Sequence, residues 1–158
     1  MLIDKNDNEE VLFFKIYEQD KEFLITSSAG KGFFVNSNDF IASTKSGKKV
    51  MNLKDNDRAV SCAEKKGDLI VSISGEKKSF KLLAFNSSEI PNMQKGRGVT
   101  LQKFKSGKTL NAFCADSNEG IINERSKKVL LSAKDLKKWL GKRAQAGRIE
   151  PKNLHSKI

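Results

Sequence analysis

The residues best placed to do chemistry lie in Pro91 to Lys103, PNMQKGRGVTLQK, where Lys95 and Arg97 flank Gly96 and Gly98 follows. No acidic residue occurs between Ile90 and Ala115. Glycine lets a backbone take positive φ and approach a bulky partner, and flanking cations favour a polyanion. An earlier stretch has the same character, with Lys45, Lys48 and Lys49 around Gly47. Lys103, Lys105 and Lys108 follow the second one. These eight cations are the candidate phosphate-binding residues.

Other chemistries fit poorly. Ser106-Gly107-Lys108-Thr109 ends like a nucleotide-binding P-loop, but the glycine required five residues before Gly107 is Gln102, and strand-like residues follow where a helix is needed. Gly96-x-Gly98 fails the dinucleotide fingerprint because position 101 is leucine. His155 is the only histidine, so no Ser/His/Asp or Cys/His constellation assembles. Cys62 and Cys114 stand apart without a CxxC motif and read as core thiols of a cytosolic protein. Neither a catalytic centre, a metal site nor a cofactor is expected of this chain.

The charge is unevenly spread. The 158 residues hold 30 Lys+Arg and 19 Asp+Glu, a net +11. Residues 1–30 carry seven acids and three bases, so the surplus lies wholly in residues 31–158. A basic body of this kind points to nucleic acid before acidic membrane. No apolar run reaches membrane-spanning length, and the acidic start is unlike a signal peptide, so a soluble intracellular protein is expected.

The elements that must position these cations read as β-structure. Residues 1–10 form an acidic lead-in. Short β-branched and aromatic runs then alternate with glycine turns from residue 11 to 131: Val11–Tyr17, Phe23–Ser27, Gly32–Asn36, Lys49–Leu53, Arg58–Ala63, Asp68–Ser74, Ser79–Phe85, Gly98–Phe104 and Leu110–Cys114. Tyr17 reads as core. Ser132 and Asp135 suggest a helix cap, and Leu136, Trp139, Leu140 and Ala144 an apolar helical face, predicting a helix over 132–147 with Gly147 as its stop. Residues 148–158 read as a mobile tail.

The chain also repeats itself. At an offset of 49, Ile41 meets Ile90, Gly47 meets Gly96, Lys48 meets Arg97 and Val50 meets Val99. Asn36-Ser37-Asn38-Asp39 matches Asn86-Ser87-Ser88-Glu89, and a third, degenerate unit starts near Leu110. Units of this length with four short strands have the size of propeller blades, and two full blades with a remnant are too few to close a ring, so the propeller is partial or open here: either blades are missing upstream or the remnants close it irregularly. Equivalent turns on successive blades would set the cations as a curved stripe, able to follow a bent duplex through its phosphates.

The runs SSAGKGFFVNSNDFIASTKSGKKVMNLK, KSFKLLAFNSSEIPNMQKGRGVTLQKFKSGK and LKKWLGKRAQAGRIEPK resemble the C-terminal domain of the A subunit of bacterial DNA topoisomerase IV, of the alphaproteobacterial type. The related domain of the gyrase A subunit shares the repeat. The resemblance implies an all-β, propeller-like β-pinwheel that binds and bends duplex DNA for a separate catalytic core. It implies no catalysis by this chain alone, and a share in ATP-dependent decatenation and supercoil relaxation by a type II topoisomerase. Implied partners are double-stranded DNA, the rest of the A subunit and, through it, the ATP-binding B subunit, with no membrane. The implied location is cytoplasmic, at the nucleoid. The glycine-rich box that drives wrapping in gyrase corresponds to Gln94–Gly98, with fewer arginines, which implies weaker bending. The end, EPKNLHSKI, departs from the family's Pro-Gly-Phe-Pro-like tail. The alternative from another class is a β-propeller interaction module whose basic rim docks an acidic partner or the enzyme's own core.

Overall fold

The computed structural model describes residues 6–77, 79–152 and 154–158. Two four-stranded antiparallel sheets and a smaller third unit follow one another along the chain. In the first sheet β1 (Glu22–Ser27) and β2 (Lys31–Asn36) form a hairpin, and β3 (Ala59–Glu64) returns to pair with the free side of β1. The second sheet repeats this plan: β4 (Leu69–Glu76) and β5 (Ser79–Asn86) form the hairpin. The fourth strand of the first sheet comes from beyond this hairpin, because β6 (Val99–Thr100) crosses back to pair with β2. β7 (Lys108–Ala115) then pairs with β4. The third unit is a short hairpin, β8 (Ile121–Ile122) with β9 (Val129–Leu131), and β10 (Arg148–Ile149) crosses back to β5 as β6 does to β2. Each sheet is thus completed by chain belonging to the next unit, the strand exchange of a β-pinwheel.

Period-2 alternation explains why the units stack. Leu24 and Phe34 leave one face of the first sheet and meet Ile70, Leu83 and Phe85 of the second in one buried cluster. Ile25, Phe33 and Val35 leave the other face and are covered by Val50, with Met51 and Met93 packed against them. Val71, Ile73 and Leu82 leave the far face of the second sheet and bury Ile121, Leu131, Leu136 and Leu154 of the third unit. The two hairpins also end alike. The Asn36 side chain accepts from the Asn38 N–H, the Asn86 side chain from the Ser88 N–H, and each opens a single 3-10 turn.

Four expectations need correction. Val11–Tyr17 forms no strand, and Tyr17 is 53% exposed, its hydroxyl donating to Asn38 Oδ1 at 2.5 Å rather than sitting in the core. The run is apolar, but among the described residues no neighbouring strand pairs with it. Lys49–Leu53 likewise makes one isolated bridge, Met51 to Gly96, instead of a strand. The helix over 132–147 shrinks to α1 (Ala133–Leu136) and one 3-10 turn, Lys137–Trp139. Its cap is as read, with Ser132 Oγ accepting from the Asp135 N–H at 3.1 Å. The Leu140–Ala144 half of the apolar stripe instead follows the sheet edge: Leu140 bridges Ala84, the Gly141 N–H donates to the Ala84 carbonyl, and Ala144 turns at φ 66°. Finally, the tail is packed. Leu154 is 2% exposed, His155 lies on Phe80 with ring centroids 4.4 Å apart, and the His155 N–H donates to Glu150. Of the acidic lead-in, residues 1–5 lie outside the described residues.

Candidate nucleic-acid interface

The crossing strands create the site. After its 3-10 turn the second unit runs along the edge of β2, where the Phe34 N–H donates to the Pro91 carbonyl and the Met93 N–H to the Phe34 carbonyl. The chain then leaves the edge as a loop, Gln94–Gly98, and rejoins it where Val99 pairs with Gly32. Gly98 makes the return feasible. It sits at φ 80°, and a Cβ there would stand 2.5 Å from the Gly32 carbonyl oxygen. The third unit repeats the manoeuvre on β5: the chain leaves at Leu140, loops through Gly141–Gly147, and rejoins where Arg148 pairs with Leu82. Gly147, at φ 74°, carries the same constraint against the Leu82 carbonyl oxygen at 2.4 Å. The first unit's equivalent loop holds Lys45 to Lys49.

Backbone hydrogen bonds tie the three loops together. Gly96 donates to Val50 at 3.0 Å and accepts from the Asn52 N–H at 2.7 Å. The third loop is tied to the segment that follows β6, where the Ala144 N–H donates to Leu101 at 2.8 Å and the Lys103 N–H to Gln145 at 3.0 Å. Gln102, 1% exposed, stitches the same seam by donating to the carbonyls of Lys81 and Ala146.

The structure therefore brings Lys48, Lys49, Lys95 and Arg97 to one joined edge, with Lys45 at the near end of the first loop and Lys103 beside the third. Lys105 and Lys108 fall elsewhere. They flank the tip where Gly107 packs against the Gly75 carbonyl, and Lys108 opens β7, which also removes the P-loop reading. Sequence reasoning missed Lys142 and Arg143, which it placed on a helix; they occupy the third loop. The signal was available in the Gly98 to Gly147 spacing, which equals the repeat offset.

None of Lys45, Lys48, Lys49, Lys95, Lys103, Lys105, Lys108, Arg97 and Lys142 has an ion-pair partner among the described residues. The lysines are exposed, whereas Arg97 is half-buried with its Nε unbonded among the described residues. Arg143 is held by its own chain, with Nη1 donating to the Thr100 carbonyl at 2.9 Å and its N–H to Glu89. The paired lysines lie at the other end of the strands: Lys15, Lys21 and Lys66 meet Glu64, and Lys65 meets Glu22 at 2.8 Å. There the Lys15 ammonium holds the Glu64 carboxyl below its usual range, and Lys65 does the same for Glu22. The edge loops thus present uncompensated positive charge and the opposite ends a neutralised network. No group of acids, cysteines and histidine among the described residues could hold a metal. No helix among them is long and apolar enough to cross a membrane.

A family model described as the DNA gyrase C-terminal domain, beta-propeller, matches residues 21–63 and 84–113. The A subunit of DNA topoisomerase 4 from Rickettsia felis is 41% identical over 155 residues, covering 98% of this chain and 20% of the relative. Its counterpart from Rickettsia bellii is 44% identical over 149 residues, covering 94% of this chain and 19% of the relative. The chain spans about one-fifth of the length of these curated relatives. Among solved structures, the E. coli ParC C-terminal domain superposes with a TM-score of 0.71 at 22% identity, over 87% of this chain and 58% of that one. A DNA gyrase A C-terminal domain gives 0.69 at 24%, over 96% and 53%. These likenesses show a shared fold.

Proposed function

The chain belongs to the C-terminal-domain family of the A subunits of DNA topoisomerase IV and gyrase, and from that premise we propose that it is a non-catalytic grip for duplex DNA. The carrying observation is the joined edge: three loops at equivalent places in the repeat, linked by backbone hydrogen bonds directly or through the segment after β6, present lysines and Arg97 without ion-pair partners among the described residues. Such a surface offers charge to phosphate oxygens at successive points and does not read bases. Because the loops are fixed on rigid sheets, the line they trace is set by the fold, and a duplex following it bends. Bending 20–30 base pairs costs about 1–6 kcal/mol, within reach of a handful of phosphate contacts at low salt. The polypeptide carrying such a grip would use it to select DNA crossings for ATP-dependent decatenation and relaxation, the DNA being cut elsewhere in the enzyme and the B subunit supplying ATP turnover.

The test is a duplex titration between 50 and 200 mM salt. Each phosphate contact contributes about −0.9 to the slope of log K against log salt. Changing Lys48, Lys49, Lys95, Arg97 and Lys142 together to Ala is expected to flatten the slope by about 4. Changing Lys21, Lys65 and Lys66 to Ala, at the opposite strand ends, should leave it within about 1. Equal effects from the two sets would mean that overall charge alone is at work. No binding by the unaltered chain at 50 mM would turn the assignment toward docking on an acidic protein surface.

A further inference from the structure

An acid stands against the basic third loop. Glu89 closes the 3-10 turn Ser87–Glu89 at the end of the second hairpin, and the next residue, Ile90, is buried in the cluster between the two sheets. An exposed carboxylate is thus carried on a fixed base. Glu89 Oε2 accepts the main-chain N–H of Arg143 at 3.0 Å. It forms no ion pair with the Arg143 guanidinium among the described residues. That group reaches β6 instead, where Nη1 donates to the Thr100 carbonyl at 2.9 Å. Lys31 Nζ donates to the Thr100 hydroxyl at 2.6 Å, so two cations converge on one residue. The rest of the loop is tied only at its flanks. The Gly141 N–H donates to the Ala84 carbonyl and the Ala144 N–H to the Leu101 carbonyl, while the Lys142 N–H turns inward to Gln145 Oε1 at 3.0 Å. Between Gly141 and Ala144, Glu89 supplies the one main-chain tie to another unit among the described residues. The first unit has Asp39 at the equivalent place, and Asp39 lines a small pocket with Gln94 at the start of the second loop. Its side chain is one methylene shorter, and among the described residues no N–H of the second loop donates to it.

We propose that Glu89 is a positioning residue for the duplex contact. Its carboxylate holds the main chain of the third loop and leaves the charge of Lys142 and Arg143 to phosphate. The inference rests on the DNA-binding reading above. By charge alone, an acid beside a phosphate track weakens binding. A carboxylate that accepts an N–H makes a charge-assisted bond, stronger than a neutral one, and here that bond fixes the loop against the second unit. The two effects have opposite signs, so they separate when the charge and the acceptor oxygen are removed one at a time.

Glu89→Gln removes the charge and keeps an acceptor; Glu89→Ala removes both. In duplex titrations at about 100 mM salt, Glu89→Gln is expected to bind about 2- to 3-fold more tightly than the unaltered chain. Glu89→Ala is expected to bind about 5- to 10-fold more weakly than Glu89→Gln. That gap should vanish when Lys142→Ala and Arg143→Ala are added to both variants, because no side chain is then left to position. Without DNA, hydrogen exchange at the Arg143 amide, read by NMR, should be slow in the unaltered chain and in Glu89→Gln. It should be faster by about tenfold or more in Glu89→Ala. On a chain that binds duplex, equal affinities of the two variants overturn the positioning role and leave the DNA reading standing. So does a gap that persists without Lys142 and Arg143, or an Arg143 amide that Glu89→Ala does not change. Failure of the unaltered chain to bind duplex overturns the DNA reading itself, and the positioning role with it.

Discussion

Replacing Gly98 by Ala tests whether the crossing strand depends on a backbone contact that no side chain allows. Gly98 sits at φ 80°, where an L-residue costs about 1–2 kcal/mol. Its new Cβ would also lie 2.5 Å from the Gly32 oxygen, 2.6 Å from the Gly32 carbonyl carbon and 2.8 Å from a Phe33 ring carbon. Two of these atoms are main chain in a central hairpin and cannot swing aside, so the strand must move, at roughly 1–3 kcal/mol more, as for overpacking. Gly47 supplies the control: it has φ 78° with nothing within 4 Å of the added carbon, so it carries the conformational cost alone. Expected losses are about 1–2 kcal/mol for Gly47→Ala and about 2–5 kcal/mol for Gly98→Ala. In urea, with a slope of about 1–3 kcal/mol per molar, the Gly98 variant should show the distinctly lower midpoint. Gly147→Ala should behave like Gly98→Ala, since its Cβ would stand 2.4 Å from the Leu82 oxygen. Equal losses at positions 47 and 98 would refute the claim that close approach, and not positive φ, fixes these glycines.

Other outcomes follow from the same structure. Gln102→Ala removes the donor to two carbonyls and leaves a cavity between the second and third loops; it should cost about 2–4 kcal/mol in urea unfolding. Burial pushes the Cys62 thiol up to about 11, so at pH 7.5 its reaction with a disulfide reagent should be slow and accelerate many-fold when urea unfolds the chain. Burial works to raise the pKa of Asp57, but hydrogen bonds from the Ser28 hydroxyl and the Ala29 N–H outweigh it. Asp57 therefore joins Glu22, Glu64 and Asp68 in having its carboxyl held down in the folded state. Carboxyls with depressed folded values stabilise fully above their unfolded values of about 3.9–4.3, and that contribution is lost as pH falls through the folded ones. The urea midpoint should therefore be flat from pH 7 to 5 and drop below about pH 4, with a shallower drop in Asp57→Asn.

The hairpins were legible because local signals agree: β-branched runs of one strand's length, a turn between them, and Asn36 and Asn86 closing each. The offset of 49 likewise revealed equivalent loops. What local reading could not supply was the destination of each crossing segment. Leu136 and Trp139 do lie on one helical turn, but Leu140 and Ala144 continue the spacing by coincidence, since Gly141 has left the helix for the β5 edge. That misreading hid Lys142 and Arg143 from the candidate set. Val11–Tyr17 fails in the opposite direction: composition makes it a strand, but strand formation needs a neighbour, and sequence records only the propensity. Lys105 and Lys108 share the basic run with Lys103, yet the chain turns at Gly107 and carries them to another part of the surface.

The back-crossing strands also set the order of events on the ribosome. The first three strands are complete once Glu64 has emerged, but the edge of β2 gains no cover until Val99 and Thr100 follow. At about 5–20 residues per second this leaves the edge bare for a few seconds. The second sheet waits about as long, since its first three strands are complete at Ala115 and β5 receives its outer strand only from Arg148 and Ile149. A nascent chain of this design is never finished locally; each sheet is held open until translation has moved into the next unit. Premature termination anywhere after Asn86 and before Arg148 would therefore release a protein whose last full hairpin still offers an unpaired template for aggregation.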